Sequence, residues 1–176
     1  KLLEQEENIY VNPAWNLGAK IAQYSNLCFL SDDVIADGRI YFEADSFLNT
    51  HKDAELLVTL IGHEPHSQPK VSCGEIKISY HKEMMNVGLH GAFSLFFMTK
   101  ESYKPIPEKL KVIHGDAYLH NKTVESGGRI YCIHDFFYYS PWNTTISKVC
   151  KDEKASLISD DLMAWDEMVL NKEVII

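Results

Sequence analysis

Alternation of apolar and polar residues with a period of two is the feature that most constrains the fold of this chain. In residues 74–82, GEIKISYHK, every second side chain is apolar and the intervening ones are polar. Successive side chains of a β-strand point to opposite faces, so this pattern predicts a strand with one buried and one solvated face. The same pattern recurs along most of the chain, and it indicates a protein built mainly from strands.

Six segments carry the strand pattern, and turn residues such as Gly, Pro, Asn and Asp separate them. The predicted strands are 38–44, 54–62, 74–82, 91–99, 109–120 and 128–139, and residues 16–30 supply one or two more. Helices between the strands are not expected, which argues against a parallel α/β sheet. The sequence therefore predicts an all-β fold, an antiparallel β-sandwich of about seven or more strands.

One short amphipathic helix is predicted near the C-terminal end of the sequence, over residues 159–172. Ser159 is the expected N-cap, and acidic residues follow it in the first turn. The predicted apolar face comprises Leu162, Trp165, Met168 and Val169. Such a helix closes the domain or packs on a partner.

Length and charge limit the classes of protein to consider. The chain has 176 residues, which suits a single β-sandwich domain spanning residues 1–176, or one lobe of a longer protein. Its net charge is −8 and its basic residues are scattered, so nucleic acid is not an expected partner. No apolar run approaches the roughly 18 residues that a transmembrane segment needs, so none is predicted.

The cysteines and the glycosylation motifs bear on the compartment of the protein. Cys28, Cys73, Cys132 and Cys150 fit no zinc-binding spacing, and they are either thiols or two disulfides. Two N-x-S/T motifs make Asn121 and Asn143 candidate glycosylation sites. No cofactor and no metal site is predicted from these residues.

No catalytic motif is present, and the sequence predicts a protein that is not an enzyme. Neither a G-x-S-x-G elbow, a phosphate-binding loop nor a dinucleotide fingerprint occurs. Cys132 and His134 share a strand face about 7 Å apart, too far for a base to activate its thiol. The acidic stretch 31–45 lacks the spacing of an EF-hand and is interpreted as turn chemistry.

Two sets of side chains are candidate binding groups. The aromatic run consists of Phe136, Phe137, Tyr138, Tyr139 and Trp142. It forms either a strand buried on both faces or a recognition surface. The second set, His114, His120 and His134, lies on predicted strands and is a candidate pH-sensitive or metal-binding cluster.

Residues 28–64 resemble the opening of an arrestin-like domain, the superfamily of the α-arrestins and the arrestin-like subunit of retromer. The matching positions are Asp32, Asp33, Val34, Gly38, Ile40, Phe42, Leu56, Val58, Leu60, Gly62 and Glu64. The resemblance implies a non-enzymatic trafficking adaptor or scaffold for protein transport, which binds other proteins. It also implies a place in the cytoplasm or at the endosomal periphery, with membrane association only through a partner.

Two other functions stay open at the level of the sequence. One is a secreted, lumenal or viral-type β-sandwich that is glycosylated and binds a protein ligand. The other is a small metal-dependent enzyme that uses the three histidines. The state of the thiols and the presence of glycans distinguish the first from the adaptor, and a metal assay distinguishes the second from both.

Overall fold

The computed structural model of the protein describes residues 3–31, 34–59, 72–81, 94–139 and 154–174. Its elements, in chain order, are α1 (Val11–Ile21), β1 (Asn26–Leu30), α2 (Arg39–Thr50), β2 (Ala54–Thr59), β3 (Ser72–Tyr80), β4 (Leu95–Thr99), α3 (Gly115–Glu125), β5 (Arg129–Phe137) and α4 (Lys154–Leu170). The prediction of an all-β sandwich was therefore wrong. The described residues form a mixed α/β fold around one five-stranded sheet.

The strands of the sheet lie in the order β1-β4-β2-β5-β3. β2 and β5 are parallel, and all other neighbouring strands are antiparallel. Consequently β1, β2 and β5 run in one direction, and β3 and β4 run in the other. We call the end where β1, β2 and β5 finish the carboxyl end of the sheet, and the opposite end the amino end.

Helices cover both faces of the sheet, because the strand residues on each face are apolar. On one face, side chains of α1, α3 and α4 pack on the sheet; among the buried residues there are Ala19, Leu119 and Met168. On the other face, α2 packs through Ile40, Ala44 and Leu48. Three layers of secondary structure therefore enclose two hydrophobic clusters.

Helix α2 replaces the strand predicted over residues 38–44. Ile40, Ala44 and Leu48 are buried at a spacing of four residues, which is the spacing of a helix face. Phe42, which the strand interpretation placed on the buried face with Ile40, is 79% exposed. The first seven residues alternate by coincidence, and the longer window reveals the helical period.

Helix α3 replaces the second half of the strand predicted over residues 109–120. It begins at Gly115 and ends before Gly127, which has a φ of 77°. Glycine in this left-handed conformation commonly ends a helix. The sequence ESGG, interpreted as a turn between strands, is therefore the C-terminal end of a helix.

The remaining strand predictions were closer to the structure. β2, β4 and β5 lie within the predicted ranges, and β3 begins two residues before its range. Residues 16–30 contain the last six residues of α1, 16–21, and all of β1, so six of the fifteen residues are helical. In the described part of residues 28–64, β1 and β2 are not neighbours in the sheet, because β4 lies between them.

The C-terminal helix is present, but it begins at Lys154 rather than at Ser159. Trp165 and Val169 pack against the hydrophobic core, and Met168 is fully buried. Leu162, predicted to share their face, is 46% exposed. Among the described residues, no helix is both long and apolar enough to cross a membrane.

Candidate functional site

The connection pattern of the sheet selects the carboxyl end as the candidate site. Strands β2 and β5 are parallel neighbours. The helix that precedes β2, α2, covers one face, and the helix that precedes β5, α3, covers the other. The helices that precede these two parallel strands thus cover opposite faces of the sheet. In open α/β sheets ligands bind outside the carboxyl ends of the strands.

Three helices begin at this end of the sheet. α1, α2 and α3 each precede a strand that starts at the amino end, so their N-termini lie at the carboxyl end. The backbone pair Ile35–Tyr139, with an N–O distance of 2.8 Å, places the segment before α2 beside the end of β5. A helix N-terminus carries a partial positive charge, which favours anions such as phosphate. At the start of α2 the Asp37 carboxylate already accepts a hydrogen bond from the Arg39 N–H, and at the start of α1 the Asn12 N–H donates to the Lys111 carbonyl.

Strained backbone also marks this end. Tyr10, the residue before α1, has φ 63° and ψ 175°, and His114, the residue before α3, has φ 63° and ψ 4°. Residues other than glycine rarely adopt positive φ, and the Tyr10 conformation is found almost exclusively in glycine. Strain of this kind costs about 1–3 kcal/mol per residue and concentrates at functional sites.

Asn12 joins the starts of α1 and α3. It is 1% exposed, its backbone N–H donates to the Lys111 carbonyl at 3.0 Å, and its Nδ2 donates to the Ile113 carbonyl at 3.0 Å. A Cβ atom at Gly115 would collide with the Asn12 carboxamide, so only glycine fits there. The Oδ1 atom of Asn12 is buried, and no described residue donates a hydrogen bond to it.

The His114 imidazole lies against α4. Its ring stacks on the Trp165 ring with a centroid distance of 4.8 Å and an interplanar angle of 12°. Its Nε2 atom is buried and has no hydrogen-bond partner among the described residues. Burial lowers the pKa of His114, and the charges of Asp116, Asp161 and Asp166 oppose that change only in part. A neutral imidazole both donates and accepts hydrogen bonds.

Two charged groups complete the described part of the site. Asp116 lies in the first turn of α3, and its Oδ1 accepts a hydrogen bond from the Ala117 N–H at 2.8 Å. At the start of α2, Arg39 forms an ion pair with Asp37 at 2.9 Å, which lowers the pKa of Asp37. A carboxylate and a guanidinium thus flank the helix N-termini.

The predicted aromatic surface is divided by the structure. Phe136 and Phe137 belong to β5 and pair with β3, while Tyr138 is 1% exposed and packs in the cluster under α2. Tyr139 is half-buried and pairs with Ile35. Trp142 lies outside the described residues. Tyr138 therefore belongs to the core rather than to a recognition surface.

The three predicted histidines do not share one sheet face. His114 precedes α3 and His120 lies buried within it, so the prediction that both lie on a strand was wrong. His134 is on β5, where its Nε2 lies 2.8 Å from the Ser79 hydroxyl and its ring 6.3 Å from that of His81. Within the described ranges, no three His, Cys, Asp or Glu side chains are close enough to hold a metal ion.

The structure describes two of the cysteine side chains and one of the two glycosylation motifs. Cys28 is a free thiol, and burial raises the pKa of Cys132 to about 12. A thiol with such a pKa is not a nucleophile at neutral pH. Asn121 is 1% exposed within α3, a poor position for a glycan. Asn143 and Cys150 lie outside the described residues, as does the side chain of Cys73.

Sequence reasoning missed the residues that build this site, above all Asn12, Gly115 and Asp116. One signal was available: Gly115-Asp116 precedes AYLHNKTVE, and an acidic residue in the first turn is typical of a helix start. No comparable signal exists for Asn12, because its role depends on a contact with a loop about a hundred residues away.

Comparison with protein-family models finds no family that matches the chain, and comparison with curated proteins finds no similar sequence. The case for a function therefore rests on the geometry of the carboxyl end.

Proposed function

We propose that the protein is a metal-dependent transferase that binds a nucleoside diphosphate-linked donor, such as a nucleotide sugar, at the carboxyl end of the sheet. The observation that carries the proposal is the carboxyl end of the sheet beside the parallel pair β2 and β5, the end at which α1, α2 and α3 begin. Phosphate groups are the ligands that such N-termini favour most.

The negative net charge of the chain leads us to include a divalent cation in the proposal. The chain has a net charge of −8, so a diphosphate needs a counter-ion to approach it. Mg²⁺ typically binds one or two carboxylates together with substrate phosphates, so a cage of protein ligands is not required. In the sequence, Asp32 and Asp33 lie between β1 and α2 and offer two carboxylates.

The proposed reaction moves the donor group to a hydroxyl of an acceptor. The acceptor oxygen forms a bond to the carbon that carries the diphosphate, and the bond from that carbon to the diphosphate oxygen breaks. The diphosphate leaves with the electron pair; a bound cation would supply positive charge beside it, and the N-terminus of α3 would add its partial positive charge. Asp116 takes the hydroxyl proton as general base. The chain lacks a phosphate-binding loop, which favours transfer at carbon over transfer of a phosphoryl group.

The adaptor function predicted from the resemblance assumed a sandwich, and the fold described above removes that support. It remains the alternative outcome of the test. The test titrates UDP, GDP, ADP and CDP into the protein by calorimetry, with and without Mn²⁺ or Mg²⁺. We expect one nucleotide to bind, and only with the cation, and the matching nucleotide sugar to release free nucleoside diphosphate.

Asp116→Asn and Glu125→Gln form a matched pair on one helix, because Glu125 lies at the far end of α3. We expect Asp116→Asn to lower the rate of release about 100-fold or more, as loss of a general base does. Glu125→Gln should stay within about twofold of the parent protein. Absence of cation-dependent binding for all four nucleotides would refute the proposal, and so would equal rates for both variants.

A further inference from the structure

Asp161 on α4 is a buried carboxylate that serves the loop before α3. It has no exposed surface, and it accepts hydrogen bonds from three consecutive backbone N–H groups. The N–O distances are 2.7 Å to Lys111, 2.6 Å to Val112 and 2.8 Å to Ile113. Consecutive N–H groups that converge on an anion form a concave nest, and such bonds offset the cost of burying the charge.

The same loop is held from its other side by α1. The carbonyls of Lys111 and Ile113 accept hydrogen bonds from the backbone and the side chain of Asn12. The N–H groups of the loop thus point to α4 and two of its carbonyls point to α1. Asn12 of α1 and Asp161 of α4 therefore hold residues 111–113 from two sides.

Trp165 provides a second contact from α4. It follows Asp161 by four residues, and side chains at that spacing lie on one face of a helix. That face therefore holds residues 111–113 through Asp161 and the His114 ring through Trp165. Since His114 has a strained, left-handed backbone, these contacts supply the support that such a conformation needs.

We propose that Asp161 is a positioning residue of the carboxyl-end site. Through Asp161 and Trp165, α4 sets the direction in which the first N–H groups of α3 meet the phosphates of the donor. The identity of the ligand rests on the proposed function, whereas the positioning of α3 does not. Helix α4 is then part of the site, although Asp161 touches no ligand.

The test compares Asp161→Asn with Asp160→Asn, the neighbouring exposed residue, for which the structure gives no side-chain hydrogen bond among the described residues. An amide in place of the Asp161 carboxylate turns one acceptor into a donor that faces an N–H group. Two quantities are measured well below the melting temperature: the Kd for Mn²⁺ with the nucleotide that the parent binds, and hydrogen exchange at Gly115–Ala117.

We expect Asp161→Asn to raise the Kd at least tenfold and to speed exchange at Gly115–Ala117, while exchange in β2 and β5 stays as in the parent. Asp160→Asn should match the parent in both. A merely structural role lowers the melting temperature but leaves the Kd of the folded molecules unchanged, and that result would overturn the inference. So would unchanged exchange at Gly115–Ala117.

If the parent protein binds none of the nucleotides, the proposed function is refuted. The hydrogen-exchange result at Gly115–Ala117 then tests only whether Asp161 positions α3. If Asp161→Asn does not fold, Trp165→Leu takes its place, because it removes the ring under His114 and keeps the carboxylate. We expect at least a threefold rise in Kd for Trp165→Leu together with faster exchange at Gly115–Ala117. Parent-like values of both would overturn the inference.

Discussion

The two ends of the sheet are built differently. At the amino end, polar side chains pair with each other at the surface: Arg129 donates to Asp53 at 2.7 Å, and the Tyr131 hydroxyl donates to the same carboxylate at 3.1 Å. At the carboxyl end, Asn12 Oδ1 and His114 Nε2 are buried without a partner among the described residues.

Two of the three described non-glycine residues with positive φ lie at the carboxyl end. The third, Lys172 with φ 58°, is next to Glu173, whose carbonyl accepts a hydrogen bond from Lys122 in the last turn of α3. The backbone is strained at Tyr10 and His114, the residues before two of the helices that begin at the carboxyl end. The amino end has one buried polar atom without a described partner, Nδ1 of His81, but the described residues there include no strained helix start. The described part of the carboxyl end therefore holds two strained helix starts and two buried polar atoms without a described partner.

The largest expected effect concerns the start of α2, whose place at the carboxyl end depends on its being a helix. Ile40→Ala should lower the free energy of unfolding by about 2–4 kcal/mol, because Ile40 is fully buried. Phe42→Ala should change it by less than about 0.5 kcal/mol, because Phe42 is exposed. Urea unfolding measures both. Similar losses for the two variants would restore a strand with both side chains on its buried face.

Two glycines provide the next comparison, one at each end of the helical layer. Gly115→Ala should destabilise the protein by about 1–3 kcal/mol, since its Cβ collides with Asn12 at the carboxyl end. Gly18→Ala, near the end of α1, meets nothing within 4 Å and should stabilise the helix by about 1 kcal/mol. Thermal and urea unfolding measure the difference, and a gain in stability for both variants would contradict the close contact of α1 with α3.

These positions also explain how much the sequence alone predicts. Strands β2 to β5 follow from apolar runs and alternation, which are local. The prediction of a strand in place of α2 was wrong because Ile40, Phe42 and Ala44 alternate over a short window. The spacing of four residues that marks the helix appears only when Leu48 is included. The parallel pairing of β2 with β5 and the bonds of Asp161 to residues 111–113 depend on distant parts of the chain, which no local pattern encodes.

The third effect is a change in pH dependence at the carboxyl end. Burial lowers the pKa of His114, so the unfolded chain binds this proton more readily than the folded protein. The contribution of His114 to stability is complete above its unfolded pKa of about 6.5 and falls as the pH drops from there toward the folded pKa. His114→Asn, which also tolerates positive φ, should flatten that part of the curve. Equal slopes in urea unfolding between about pH 5 and pH 7.5 would contradict the burial of this ring.

The smallest effect is expected at the amino end. Arg129→Ala removes an exposed ion pair with Asp53, whose partners have side-chain exposures of 54% and 46%. Exposed pairs are screened by water and salt, so the urea midpoint should not move measurably. A clear loss of stability that disappears in 1 M NaCl would show that the amino end also depends on its charges.

The most direct test of the account locates the ligand. Hydrogen exchange is recorded for the protein alone and with saturating Mn²⁺ and the nucleoside diphosphate that calorimetry selects. We expect slower exchange at Val11–Asn12 and at Gly115–Ala117, the first turns of α1 and α3, and no change around Asp53 and Arg129. Protection confined to the amino end of the sheet, or no protection at either helix start, would contradict it.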